Sequence, residues 1–190
     1  MKIGLFFGSF NPIHTGHLII ANVMVETTDL EKIWFVVSPQ NPFKPSKGLL
    51  HEFDRYDMVR AAIHDNFKFE VSNIEFNLPK PSYTIHTLVH LSEKYPDKEF
   101  KVIVGEDNLE RFSHWKNHEQ ILNNYGLYVY PRPYAQPSDL KMHPNVRMVE
   151  APLLDISATF IRNNIRLGKS VRYLVPDAVN EQILAKKFYH

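Results

Sequence analysis

Short apolar runs of strand length recur along this chain, and segments with helical spacing separate them. The runs cover 2–8, 32–38, 67–72, 100–105, 126–130 and 146–150, and most are rich in Val, Ile, Phe or Tyr. Residues 16–26 make the first helical segment, apolar nearly all round and so expected to be buried. In 52–64, Phe53, Tyr56, Val59 and Ile63 repeat at helical intervals; in 84–94, Ile85, Leu88 and Leu91 share one face. Strands alternating with helices predict an α/β domain around a mostly parallel sheet. Such sheets bind ligands beyond the carboxyl ends of their strands, so the functional loops should follow Phe7, Ser38, Gly105 and Tyr130.

Two regions break the rhythm. Residues 38–50 carry Pro39, Pro42, Pro45 and Gly48 and read as a loop. Residues 131–152, with Pro131, Pro133, Pro137, Pro144 and Pro152, read as a long surface connection around one short strand. Neither has the length or uniform polarity of a domain linker, so a single domain over 1–190 is expected. Its last part, about 156–190, is helical. One helix over 158–166 follows Ser157, a good N-cap, and another over 176–187 begins with Pro176 in the first turn.

Bulk properties exclude several classes. Hydrophobic residues make up 44% and charged residues 23% of the 190, an ordinary globular balance. Lys and Arg (22) offset Asp and Glu (21) to a formal net charge of +1, which gives no broad field for gripping a nucleic-acid backbone. No nucleic-acid partner is expected. The absence of cysteine excludes disulfides, thiolate metal sites and a cysteine nucleophile. The apolar run after Met1 is too short for a signal-peptide core, and no stretch approaches the roughly 18 apolar residues that span a bilayer. The expectation is a cytoplasmic protein without a membrane partner; a homo-oligomer stays open.

The segment Gly8-Ser9-Phe10-Asn11-Pro12-Ile13-His14-Thr15-Gly16-His17 follows the first strand and opens a helix. An α/β sheet places phosphate sites there, because a helix N-terminus offers unpaired N–H groups and a partial positive charge. Gly8 and Gly16 would let backbone approach a ligand closely. His14 and His17, three apart, share a helical face and can donate to phosphate oxygens. A hydrogen bond to a charged group is worth about 1.5–3 kcal/mol, more than the roughly 0.3–1 kcal/mol of the helix dipole. Ser157, Thr159 and Arg162, in Ile156-Ser157-Ala158-Thr159-Phe160-Ile161-Arg162, make a second candidate anion site at a helix start, with two hydroxyls and a forked guanidinium.

The first segment resembles the HxGH signature of the nucleotidyltransferase superfamily, and the second its ISSTxIR signature, with Ala158 where serine is frequent. The resemblance implies a Rossmann-like, doubly wound fold with helices on both faces and a small C-terminal helical extension. It implies that His14 and His17 are catalytic at the α-phosphorus of ATP. It further implies ATP contacts from Gly8, Ser9, Phe10, Gly16, Gly105, Asp107, Arg132, Ser157, Thr159 and Arg162.

The middle of the chain narrows the acceptor. Ser82-Tyr83-Thr84-Ile85-His86-Thr87-Leu88 is similar to the SYTIDTL stretch of nicotinate mononucleotide adenylyltransferases, with His86 in place of aspartate. Val104-Gly105-Glu106-Asp107-Asn108-Leu109 looks like their GxDxL loop, and Phe112-Ser113-His114-Trp115-Lys116 like the segment whose tryptophan stacks on the pyridine ring. Tyr173-Leu174-Val175-Pro176 resembles the start of their last helix. Residue chemistry leaves alternatives: capping alone would explain Thr84, and Asp107 serves equally as a cap. The resemblance assigns Thr84, Trp115 and Lys44 to the acceptor. Family members often carry histidine where this chain has Phe43. Arg55 and Arg60 read as structural or solvated.

The implied reaction joins ATP and nicotinate mononucleotide into nicotinate adenine dinucleotide and pyrophosphate, a step of NAD biosynthesis. Mg²⁺ is expected on the ATP phosphates, with no dedicated protein metal site. A relative acting on nicotinamide mononucleotide or another phosphorylated acceptor is the alternative. A nucleotide-sensing module without catalysis is less well supported, since a binder would not need both histidines.

Overall fold

A computed structural model describes residues 1–40 and 48–190. Six strands form one sheet: β1 (Lys2–Gly8), β2 (Lys32–Val37), β3 (Phe69–Ser72), β4 (Glu99–Gly105), β5 (Leu127–Tyr130) and β6 (Val146–Met148). Their order is β3-β2-β1-β4-β5-β6, and every neighbouring pair is parallel. The sheet is therefore parallel throughout among the described residues, not merely mostly so. The order reverses between β1 and β4, the switch point where doubly wound sheets open a crevice.

The helices are α1 (Thr15–Thr27), α2 (Glu52–Ile63), α3 (Thr84–Lys94), α4 (His118–Asn124), α5 (Ala158–Arg166) and α6 (Asp177–Lys186). Alternate strand residues supply two cores. Phe6, Ile33, Phe35, Val37, Ile103 and Tyr128 pack under α1, α2, α5 and α6 through Met24, Met58, Ile161 and Ile183. Their sequence neighbours Leu5, Trp34, Val36, Val102 and Val129 pack on the other face under α3 and α4 through Leu88, Leu91 and Ile121. Both faces of the sheet are buried, which is why its strands read as unbroken apolar runs. The C-terminal helices complete the α1/α2 layer: Lys186 pairs with Asp54 at 2.9 Å.

The structure differs from the pattern at a few edges. Phe67 is 83% exposed and β3 begins two residues later, at Phe69. The last helix starts at Asp177, with Pro176 at its cap position rather than in its first turn. Helix α4 was not anticipated; its seven residues bury Ile121 and Leu122, too little for a periodic signal.

Candidate active site

Carboxyl ends of the strands open into a cavity of about 970 Å³ lined by the loops after β1, β2, β4 and β5 and by the starts of α1, α3 and α5. All four loops expected to carry function reach it. Except for Lys44, every residue assigned from the motifs lines this cavity. Lys44 and Phe43 lie outside the described residues.

The first motif is organised by its own rings. His14 stands at the N-cap of α1 and is 6% exposed. Burial, helped by the positive charge of Arg132, lowers its pKa to about 4, so the imidazole is neutral at physiological pH. His17 stacks on it, ring centroids 3.7 Å apart, and takes the N–H of His14 on its Nδ1 at 3.2 Å. An Nδ1 that accepts a hydrogen bond carries no proton, so Nε2 of His17 is the N–H donor.

Both motif glycines make room for protein rings. A Cβ on Gly16 would come within 3.1 Å of His14 Nδ1, and one on Gly8 within 2.8 Å of the Phe10 ring. The expected clearance for a ligand above these glycines is thus occupied by His14 and Phe10. Phe10 itself is 2% exposed, with φ +44° turning its ring into the core against Phe35 and His17. What Phe10 brings to the cavity is chiefly loop backbone.

Beneath that loop lies Arg55, fully buried. Its Nη1 donates to the carbonyls of Ser9 (2.5 Å) and Ser38 (2.8 Å), Nη2 to Pro39 (3.2 Å) and Nε to Leu50 (2.9 Å). It joins the loops after β1 and β2 with no carboxylate paired to it among the described residues, so its charge adds to the positive potential under Ser9. Arg55 is structural, as expected, and Arg60 is exposed and paired with Asp57.

Asn11 connects the two motifs. Its backbone carbonyl accepts from Arg162 Nη1 at 2.8 Å, and its Oδ1 accepts from Tyr189 Oη (2.9 Å) and Leu50 N–H (3.2 Å). Its Nδ2 donates to the Gly48 carbonyl at 3.0 Å. In the second motif, Ser157 Oγ caps α5 by accepting from Phe160 N–H at 3.2 Å. Arg162 Nη2 also reaches Thr159 Oγ1 at 3.2 Å. The start of α1 is further held by Thr15 N–H donating to the Leu174 carbonyl at 2.9 Å. The two helix starts therefore meet over one cavity, on the same side of the sheet.

On the β4 side, Gly105 ends the strand and Asp107 lies in a short turn without capping a helix. Arg132 Nε stands 3.8 Å from Asp107 Oδ1, and its backbone N–H donates to Glu106 Oε2 at 3.4 Å. Trp115 follows the turn Phe112–His114, packs against Phe112 with ring centroids 5.4 Å apart and lines the cavity. Tyr83, not Thr84, occupies the cap position of α3, and no side chain caps that helix. Capping therefore does not explain Thr84. Two further residues line the cavity without an assignment from the motifs, Asn11 and Glu75. Asn11 sits inside the first motif, where its side chain was open to notice. Glu75 lies in a short turn without helical or strand period and carried no local signal.

Residues 5–164 match the model of the cytidylyltransferase-like family. A probable nicotinate-nucleotide adenylyltransferase of Cytophaga hutchinsonii is 65% identical over 189 residues, covering 100% of this chain and 98% of the relative. One from Flavobacterium johnsoniae is 52% identical, covering 100% and 99%. The solved Plasmodium falciparum nicotinic acid mononucleotide adenylyltransferase complexed with NaAD superposes with a TM-score of 0.84 at 18% identity, covering 99% of this chain and 97% of that one, a likeness of fold. With these motifs in place around one cavity and identity sustained along the whole chain, the protein belongs to the nicotinate-nucleotide adenylyltransferase family within the cytidylyltransferase-like enzymes.

Proposed function

We propose that this protein transfers AMP from ATP to nicotinate mononucleotide, releasing pyrophosphate and forming nicotinate adenine dinucleotide for NAD biosynthesis. The observation that carries this reading is the convergence of the α1 and α5 starts on one cavity, tied by Arg162 to the Asn11 carbonyl. No helix among the described residues is long and apolar enough to cross a membrane, and we place the activity in the cytoplasm.

An oxygen of the acceptor 5′-phosphate attacks the α-phosphorus in line. The bond from that phosphorus to the α–β bridging oxygen breaks, and pyrophosphate leaves with the electron pair. The nucleophile is already an anion, so no general base and no covalent enzyme intermediate are needed. The protein's task is to position two mutually repelling anions and neutralise their charge. His17 donates from Nε2 to the α-phosphate and its bridging oxygen, with His14 beside it as a neutral ring. Ser157, Thr159, Arg162 and the free N–H groups of α5 hold the β- and γ-phosphates. Gly105, Asp107 and Arg132 border the nucleoside, and Trp115 offers a flat face to the pyridine ring. The donors on the phosphate side are N–H groups, hydroxyls and a guanidinium, which pair with phosphate oxygens rather than ligate a cation. Mg²⁺ would be held by the triphosphate itself and would supply charge neutralisation there.

The test is pyrophosphate release from ATP with nicotinate mononucleotide, nicotinamide mononucleotide or phosphopantetheine. The expected result is fastest turnover with the first. Preference for either other acceptor overturns the acceptor assignment, and no release with any of them overturns the enzyme assignment.

A further inference from the structure

Glu75 has no place in the chemistry above, yet it lines the same cavity. It lies in the turn Ile74–Asn77 after β3 and is 1% exposed. Thr87 Oγ1, on α3 and fully buried, donates to Glu75 Oε1 at 2.7 Å. The hydroxyls of Ser38 and Ser82 are close enough to favour its ionised form, but burial is the larger influence and pushes its pKa up. Glu75 Oε2 and Ser82 Oγ are both buried without a hydrogen-bond partner among the described residues. Unpartnered buried polar atoms cost about 1–3 kcal/mol each, so a pair of them beside a ligand cavity calls for an explanation.

The surroundings supply one. Ser38 follows β2, and Ser82 precedes the cap of α3 with its N–H donating to the Gln40 carbonyl at 3.2 Å. Two residues after Ser82, Thr84 opens α3 towards the cavity, with the uncapped N–H groups of the first turn. Glu75 thus stands behind the segment that presents α3 to a ligand. We propose that Glu75 is a positioning residue for the acceptor: through Ser82 and Thr87 it sets where the start of α3 stands against the cavity, and a bound acceptor brings Ser82 into hydrogen-bond contact with it. The ATP side of the cavity, built on α1, α5 and the loops after β4 and β5, does not depend on this contact.

This inference rests on the adenylyl-transfer reading, and the experiment keeps the two apart. Initial rates of wild type, Glu75→Gln and Glu75→Ala are measured with the acceptor varied at saturating ATP, then with ATP varied at saturating acceptor. The acceptor used is whichever phosphorylated compound the wild type turns over best; wild-type inactivity with all of them is a failure of the adenylyl-transfer reading and removes this inference with it. Glu75→Ala should raise the acceptor KM about tenfold and move the ATP KM less than about twofold. Glu75→Gln keeps an acceptor for Thr87 and turns a neutral amide N–H towards Ser82 Oγ, so it should stay near wild type. Should Glu75→Ala not fold, Thr87→Val, which removes the donor to Oε1, should raise the acceptor KM in the same direction. Acceptor and ATP KM rising together, neither rising, or Glu75→Gln failing as badly as Glu75→Ala would each overturn the proposal.

Discussion

The starts of α1 and α5 face the same cavity but are built in opposite ways. At α1 the functional rings are packed: His14 is buried, His17 stacks on it, and Phe6 and Phe10 press on His17 edge-on from the core. At α5, Ser157 and Thr159 are exposed, and the helix is anchored from below by Ile161 and Ile165. Arg162 reaches across, to the Asn11 carbonyl. The difference follows from what each end does. A donor to the reacting phosphorus gains from being fixed before the reaction, because no reorganisation then remains to be made in the transition state. Groups that hold the outer phosphates bind ground state and transition state alike, and a solvent-edge helix terminus serves for that.

This division of labour makes separable predictions. The largest effect should come from His17→Asn. Its side-chain oxygen can still accept the His14 N–H, but the Nε2 donor is lost. Turnover should fall by about two to three powers of ten with the ATP KM little changed and the thermal transition intact. Turnover close to wild type would remove His17 from the chemistry and break the contrast.

Arg162→Ala should act mainly on the ATP KM, raising it by about ten- to a hundredfold, the range of a charge-assisted hydrogen bond. Arg162→Lys should recover little, since an ammonium cannot serve both Asn11 and Thr159 in the planar geometry seen. A fall in kcat matching that of His17→Asn, at unchanged KM, would show that both helix starts act in the transition state.

A smaller effect concerns stability. The folded pKa of His14, about 4, lies below the ordinary value of 6.5, so the unfolded chain binds the extra proton first. The native state keeps its full advantage above about pH 6.5 and loses it as pH falls towards 4. Between pH 7.5 and pH 5 the melting temperature of wild type should drop by roughly a few degrees more than that of His14→Gln, whose side chain does not titrate. Parallel melting curves would mean that His14 is not the buried neutral ring that distinguishes α1 from α5.

Much of this is legible in the sequence. Strand and helix positions came through because alternating burial on a doubly covered sheet leaves continuous apolar runs, and the exceptions have local causes. Phe67 is apolar but faces solvent just before β3, and α4 is too short to show a period. The motif residues were legible because strand, glycine turn and helix start are contiguous in sequence. The reasons for some of them were not. Gly8 and Gly16 suggested room for a ligand, and the structure fills that room with Phe10 and His14. Capping alone would explain Thr84 in the sequence, but the cap position belongs to Tyr83.

The amino-acid order by itself determined the α/β alternation, the donors at two helix starts and the likeness to adenylyltransferases, because caps, turns and periodic faces act over a few residues. Only the folded chain decided that those starts share a cavity, that Asn11 joins Arg162 to Tyr189, that Arg55 sits charged beneath the first loop and that Glu75 lies buried behind the acceptor side. Each of those depends on strand order and on burial, which are set by contacts between residues far apart in sequence and leave no periodic or local mark on the residues that make them.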